Sequence, residues 1–211
     1  SPDVGWPELS EAALAIRAGA TYIATNLDKT IPRERGLMVG NGSLVTAVAV
    51  STGATPLSAG KTEPEIFRAA AALMEAERPL AIGDNLDTDI KGAVAAGIDS
   101  MHVLTGLASA RDICLAPSDV RPTYLCDDMR GLNEPYPEAA VEGARARVGE
   151  AFAEWTGQGF DVTDAGEAVD VSNGASLALD AYRALVLAAW RAADAGSDVS
   201  RSVGELRVVR L

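Results

Sequence analysis

"PLAIGDNLDTDIKGAVAAGIDSMHVLTG", residues 79–106, is the most informative stretch of this chain. It begins with a short apolar run, 79–83, closed by a glycine. A run of this kind fits a strand buried on both faces. Four oxygen-bearing side chains come in quick succession after it: Asp84, Asn85, Asp87 and Asp89. Residues 87–97 then read as a helix, with Asp87 at its N-cap and Gly97 just past its end. Residues 99–106 form the next strand. Strand, acidic turn, helix and strand in this order specify a parallel α/β unit.

Upstream, "EPEIFRAAAALMEAE" (63–77) is a helix with Pro64 in its first turn. It is preceded by a strand-like "PLSAG" (56–60) and then Lys61. Residues 41–53 read as another helix, closed by Gly53. Residues 26–36, with Pro32 and Gly36, read as loop. A short strand is expected over 20–26. Residues 7–18 repeat Leu9, Ala12, Ala13 and Ile16 at helical spacing, with Pro7 in the first turn and Gly19 as the stop. Downstream of residue 131 the texture changes. Residues 137–156 are rich in Ala, Glu and Arg and are expected to form an amphipathic helix carrying Phe152 and Trp155. Residues 157–174 suggest short strands and turns. A long helix is expected over 175–195, and a strand at 204–211.

Composition limits the function classes. The chain has 211 residues, 48% hydrophobic and 23% charged, an ordinary globular balance. Acids outnumber bases 30 to 18, for a formal charge of −12. Such a chain is a poor partner for nucleic acid or an anionic membrane surface. No 18-residue apolar run and no signal peptide are seen, so a cytoplasmic location is expected. Cys114 and Cys126 lack metal-site spacing and stand beside a single histidine, His102. Free thiols are expected, and no Cys/His zinc site.

The acids acquire meaning from where they fall. Ligands of open α/β sheets sit beyond the carboxyl ends of the strands. Asp84 ends one strand and Lys61 comes after another, so neighbouring strands are expected to bring an anion and a cation to one crevice. A phosphate beside Asp84 needs a divalent cation between them, and hard oxygen ligands suit Mg²⁺. Plainer readings exist for each residue. Asp87 serves as a helix cap, and Asp89 in a first turn complements the helix dipole. Lys61 reads equally as a solvated side chain, His102 as a core histidine, and Trp155 and Trp190 as packing residues.

The order of motifs is more specific than any one of them. "GK", a helix, a strand and then "GDNLDTDI" resemble the third and fourth motifs of the haloacid dehalogenase (HAD) superfamily. "GATYIATNLDKTIP…GNGSLVTAV" resembles the α/β cap of its NagD and p-nitrophenyl-phosphatase type. The resemblance covers residues 8–131. It implies an α/β fold, the second half of a Rossmann-like HAD core. Residues 1–55 would be the end of the cap, 56–131 the core half and 132–211 an accessory α+β region. It also implies a Mg²⁺-dependent phosphomonoester hydrolase. Asp84 would be the metal ligand and Asp89 the acid that orients the metal's waters and Lys61. Lys61 would neutralise the phosphoryl oxygens. Asn26, Asp28, Ile31 and Asn85 would face a small phosphorylated substrate.

Members of this family attack phosphorus with the first Asp of a DxD motif and pass through an aspartyl-phosphate. No DxD comes after an apolar strand here, so an N-terminal segment beyond this chain is expected to supply it. The tail is similar to one appended to actinobacterial phosphatases that act on glycerol 3-phosphate, which makes that ester the first candidate substrate. Packing or homo-oligomerisation is the expected role of the tail; it lacks the Gly-rich loop of an acyl-CoA enzyme. The main rival reading is a non-catalytic binding or regulatory protein on a degenerate phosphatase half. Retention of Lys61, Asp84 and Asp89 together counts against it. A phosphotransferase or mutase of the same superfamily is a third.

Overall fold

The computed structural model describes residues 4–58, 60 and 63–210. The chain divides into two compact units, residues 1–74 and 75–211.

The first unit opens with α1 (Trp6–Arg17), the helix expected from its apolar spacing. The strand expected over 20–26 narrows to β1 (Ile23–Ala24). Residues expected as loop instead form a hairpin, β2 (Thr30–Arg33) and β3 (Gly36–Val39), with Pro32 opposite Leu37. Proline is tolerated because a two-stranded ribbon leaves one edge of each strand unpaired. α2 (Asn41–Thr52) ends at Gly53, whose φ of 73° is left-handed. β4 (Leu57–Ser58) lies parallel to β1, and α3 (Pro64–Leu73) closes the unit. Helices α1 and α2 pack together, yet neither α1 nor α3 contains a fully buried residue.

The second unit carries the acidic stretch. β5 (Leu80–Gly83) is followed by a π-helical turn at Leu86–Ile90 and by α4 (Lys91–Ala96). β6 (Asp99–Val103), α5 (Ala110–Cys114) and β7 (Tyr124–Cys126) complete a parallel sheet in the order β5-β6-β7. The sequence suggests that 56–60 and 79–83 are neighbouring strands. Among the described residues β4 pairs with β1 and β5 pairs with β6. The expected N-cap Asp87 is also corrected. The capping side chain is Asn85, whose Oδ1 accepts the Asp87 amide at 2.9 Å. The helical turn starts at Leu86, so its cap lies two positions before Asp87.

The largest departure lies in 137–156. No helix forms there. The segment folds into β8 (Ala139–Glu142), β9 (Arg145–Val148) and β10 (Ala151–Trp155). With β11 (Phe160–Asp164) and β12 (Glu167–Val169) they build an antiparallel sheet ordered β12-β11-β10-β9-β8. Helix propensity is a weak prior that tertiary packing overrides. Ala146, Val148, Ala151 and Ala153 are buried, while Arg145, Arg147 and Glu154 on the same strands face outward. That is the two-residue period of a half-buried strand. Gly143 and Gly149, at φ 58° and 57°, make the intervening turns in a conformation that side-chain-bearing residues rarely adopt.

The helix expected over 175–195 begins later. Residues 175–178 form β13 (Ala175–Ala178), parallel to the closing strand β14 (Leu206–Val209). Asp164 Oδ2 accepts the Ala178 amide at 2.7 Å, and α6 (Leu179–Asp194) starts there. α6 is buried along most of its length and packs on β9 and β10 on one side and α5 on the other. One hydrophobic core therefore joins Ile113, Cys114 and Leu125 to Tyr182, Leu185 and Ala189. The Trp190 indole donates to the Ile113 carbonyl at 2.7 Å. The Arg111 Nε–H donates to the Val203 carbonyl at 2.8 Å.

Candidate functional site

The site is built on the end of β5. Asp84 is its first residue beyond the strand, and three contacts hold it. Its carbonyl accepts the Ala108 amide at 3.0 Å. His102 Nε2 on the neighbouring strand lies 3.3 Å from the same carbonyl. Its side-chain Oδ2 accepts the Leu107 amide at 2.8 Å. The loop after β6 thus folds over the end of β5 and grips Asp84 by main chain and side chain together.

Asn85 shapes the turn between β5 and α4. Its side chain caps that turn, and its carbonyl accepts the amides of Asp89 and Ile90 at 3.0 and 3.2 Å. This wraps Leu86–Ile90 tightly, with Ile90 fully buried and Thr88 nearly so. Asp89 is brought back against the end of β5. A Cβ placed on Gly83 would lie 2.3 Å from the Asp89 Cβ, so glycine is required there for space. Asp84, Asn85 and Asp89 are therefore held in one turn, and Asp87 donates its amide to the Asn85 side chain.

His102 lies beneath this turn, 1% exposed. Burial pushes its pKa down; the Asp84 carbonyl and the carboxylates of Asp84, Asp89 and Asp112 oppose that shift. Its Nδ1 is buried without a hydrogen-bond partner among the described residues. Reading His102 as a core histidine from sequence does not include its contact with the Asp84 carbonyl. Nothing short of the strand register Gly83↔His102 points to it. A cavity of about 560 Å³ opens beside the turn, lined by Asn85, Asp87, Lys91, Leu107, Asp112 and Asp119 among others.

In the first unit, Asn26 and Asp28 share a tight loop. The Asp28 amide donates to Asn26 Oδ1 at 3.2 Å, and Asn41 Nδ2 donates to the Asn26 carbonyl at 2.9 Å. Gly42 and Gly60 press on this loop: added Cβ atoms would lie 2.1 Å from the Leu27 carbonyl oxygen and 2.0 Å from that of Thr25. Ile31 stands on β2 opposite Met38 and is 38% exposed. Lys61 lies outside the described residues.

Among the described residues, no group of three or more His, Cys, Asp or Glu that could hold a metal ion is found. Mg²⁺ keeps several waters and takes one or two carboxylates, and the Asp84 carboxylate suits it. Asp84 offers a hard carboxylate oxygen with its partner oxygen already fixed. Both cysteines are free and buried, and among the described residues no helix is long and apolar enough to cross a membrane.

A parallel sheet with an acidic turn at the end of β5 is the arrangement of the HAD-like hydrolases, and residues 58–132 match the family model described as HAD-hydrolase-like. Residues 58–132 thus form a haloacid dehalogenase-like region with an α/β fold. It is 49% identical over 141 residues to a D-glycerol 3-phosphate phosphatase of Mycobacterium tuberculosis, covering 67% of this chain and 40% of that protein. An acid sugar phosphatase of Staphylococcus aureus is 40% identical over 137 residues, covering 64% and 51%. A solved glycerol phosphate phosphatase from M. tuberculosis, in complex with magnesium, superposes with a TM-score of 0.68 at 36% identity. That match covers 100% of this chain and 58% of the other. A 4-nitrophenylphosphatase from Thermotoga maritima gives a TM-score of 0.57 at 32% identity, covering 62% and 50%. The chain spans about half the length of the curated relatives it matches.

Proposed function

We propose that this chain is part of a Mg²⁺-dependent phosphomonoester hydrolase acting on a small cytoplasmic phosphometabolite, with glycerol 3-phosphate the first candidate. The observation that carries the proposal is Asp84: a carboxylate at the carboxyl end of β5, one oxygen anchored by the Leu107 amide, in a chain whose curated relatives are phosphatases. Glycerol 3-phosphate is favoured because the solved glycerol phosphate phosphatase matches along the whole chain, including residues 132–211.

In this reading Asp84 and Asp89 hold and orient the cation with its waters. Bound Mg²⁺ supplies charge neutralisation for the transferring phosphoryl group. The family resemblance gives Lys61, Asn85, Asn26, Asp28 and Ile31 roles toward the phosphorylated substrate.

The test is turnover of glycerol 3-phosphate and p-nitrophenyl phosphate by the full-length protein, with and without Mg²⁺. Asp84→Asn and Lys61→Ala are each expected to lower kcat/KM by a factor of about 100 or more, the scale for loss of a group that stabilises transition-state charge. Near-normal rates in either variant at saturating Mg²⁺ refute the assignment.

A further inference from the structure

We infer that Gly106 is a positioning residue for Asp84, and that the loop it belongs to presents that carboxylate to the cation through a single oxygen. The inference rests on the proposed phosphatase function. A Cβ built on Gly106 would lie 1.7 Å from Asp84 Oδ2 and 2.3 Å from its Cγ. Both are far inside van der Waals contact, so no side chain fits while Asp84 stays where it is. The backbone gives glycine no other reason to be there. Gly106 is not among the residues with left-handed φ. The missing side chain is the space that the carboxylate occupies.

The next residue completes the device. The Leu107 amide donates to Oδ2 at 2.8 Å, and the Ala108 amide donates to the Asp84 carbonyl at 3.0 Å. The Leu107 bond engages Oδ2, not Oδ1. One oxygen is thereby committed to the protein and the other remains for a ligand. A ligating carboxylate fixed by a second hydrogen bond keeps its orientation between metal-free and metal-bound states, and loss of such support typically costs 10–100-fold in metal affinity or activity, as an order of magnitude. An alanine at 106 would swing the carboxylate away and break the Leu107 bond in one step.

Two measurements test this. In the full-length protein, Gly106→Ala is expected to weaken Mg²⁺ binding, followed by calorimetric titration, by about 10–100-fold. KM for Mg²⁺ should rise in parallel, and kcat at saturating Mg²⁺ should fall far less. Unchanged Mg²⁺ affinity in this variant overturns the inference. The second measurement needs no change at 106, so it survives misfolding of the alanine variant. Hydrogen exchange of the Leu107 amide is expected to be about tenfold or more faster in Asp84→Ala, which removes the acceptor, than in the unmodified protein, the scale for losing a bond to a carboxylate. Equal exchange rates overturn the inference. The amide readout needs neither substrate nor metal. Failure of the wild-type protein to hydrolyse phosphomonoesters would therefore sink the functional proposal without touching the Gly106–Asp84 relationship.

Discussion

The Arg183 guanidinium on α6 donates its Nε–H to the carbonyl of Leu125 on β7 at 3.0 Å. Leu125 belongs to the parallel sheet that carries Asp84, and Arg183 to the region beyond residue 131. The guanidinium also pairs with Asp180 at 2.7 Å and sits over the Tyr136 ring, 4.5 Å from its centroid. The Tyr136 hydroxyl in turn accepts the Leu125 amide at 3.1 Å. Both polar groups of one buried strand residue are thus satisfied by residues beyond 131.

Arg183→Met should therefore destabilise the second unit by about 1.5–3 kcal/mol, because it leaves the Leu125 carbonyl and Asp180 without their charged donor. The midpoint of urea unfolding should fall, with little change in the slope. A midpoint equal to that of the unmodified protein would show that the bond contributes nothing net.

The shared core makes a second prediction. Leu185 is fully buried in the cluster that also contains Ile113, Cys114 and Leu125. Leu185→Ala should cost about 2–5 kcal/mol, from lost burial plus the cavity left behind. Native-state hydrogen exchange should show faster opening in β6 and β7 as well as in β9 and β10. Faster exchange confined to β8–β12 would mean that the two sheets unfold independently.

Thiol chemistry offers a third check. Burial pushes the Cys114 thiol far up; it also raises Cys126, against the opposing pull of Arg183. Thiolate is the reactive form. Neither cysteine should be modified by a disulfide reagent in the native protein near neutral pH, and both should react in denaturant. Rapid native labelling would contradict this core.

The pH dependence comes from His102, whose folded pKa is depressed below its ordinary 6.5 by burial. The unfolded chain then binds more protons than the folded one between the depressed value and 6.5, so stability falls as pH drops through that window. The slope from this group can reach about 1.4 kcal/mol per pH unit. His102→Gln keeps a donor for the Asp84 carbonyl and cannot titrate. It should flatten the loss of stability between pH 6.5 and the onset of carboxylate protonation. An identical pH profile in the variant would assign the slope to other groups.

The acidic turn is legible without coordinates because its signals are local. Apolar residues before Gly83, acids after it and glycine at 97 specify strand, turn and helix through short-range sterics and hydrogen bonding. Asp84 stands out on position alone. The cap falls on Asn85 rather than Asp87 because a π-type turn and an ordinary α-helical first turn use the same residue types, and sequence does not separate them.

Residues 137–156 show the opposite case. Their Ala, Glu and Arg content favours a helix locally, while Arg145-Ala146-Arg147-Val148 alternates with a strand's period. Both patterns are present, and only the partner selects between them. α6 presents Ala181, Ala184, Leu185 and Ala188, all buried, and a sheet of small inward residues (Ala146, Ala151, Ala153) lets it approach closely. Local patterning is thus enough for the parallel α/β rhythm and for the carboxylate at the end of β5. Long-range packing is what makes the tail a sheet fused to the same core, and what makes Gly106 the space for Asp84. Those outcomes depend on contacts between residues far apart in the chain, which no local pattern encodes.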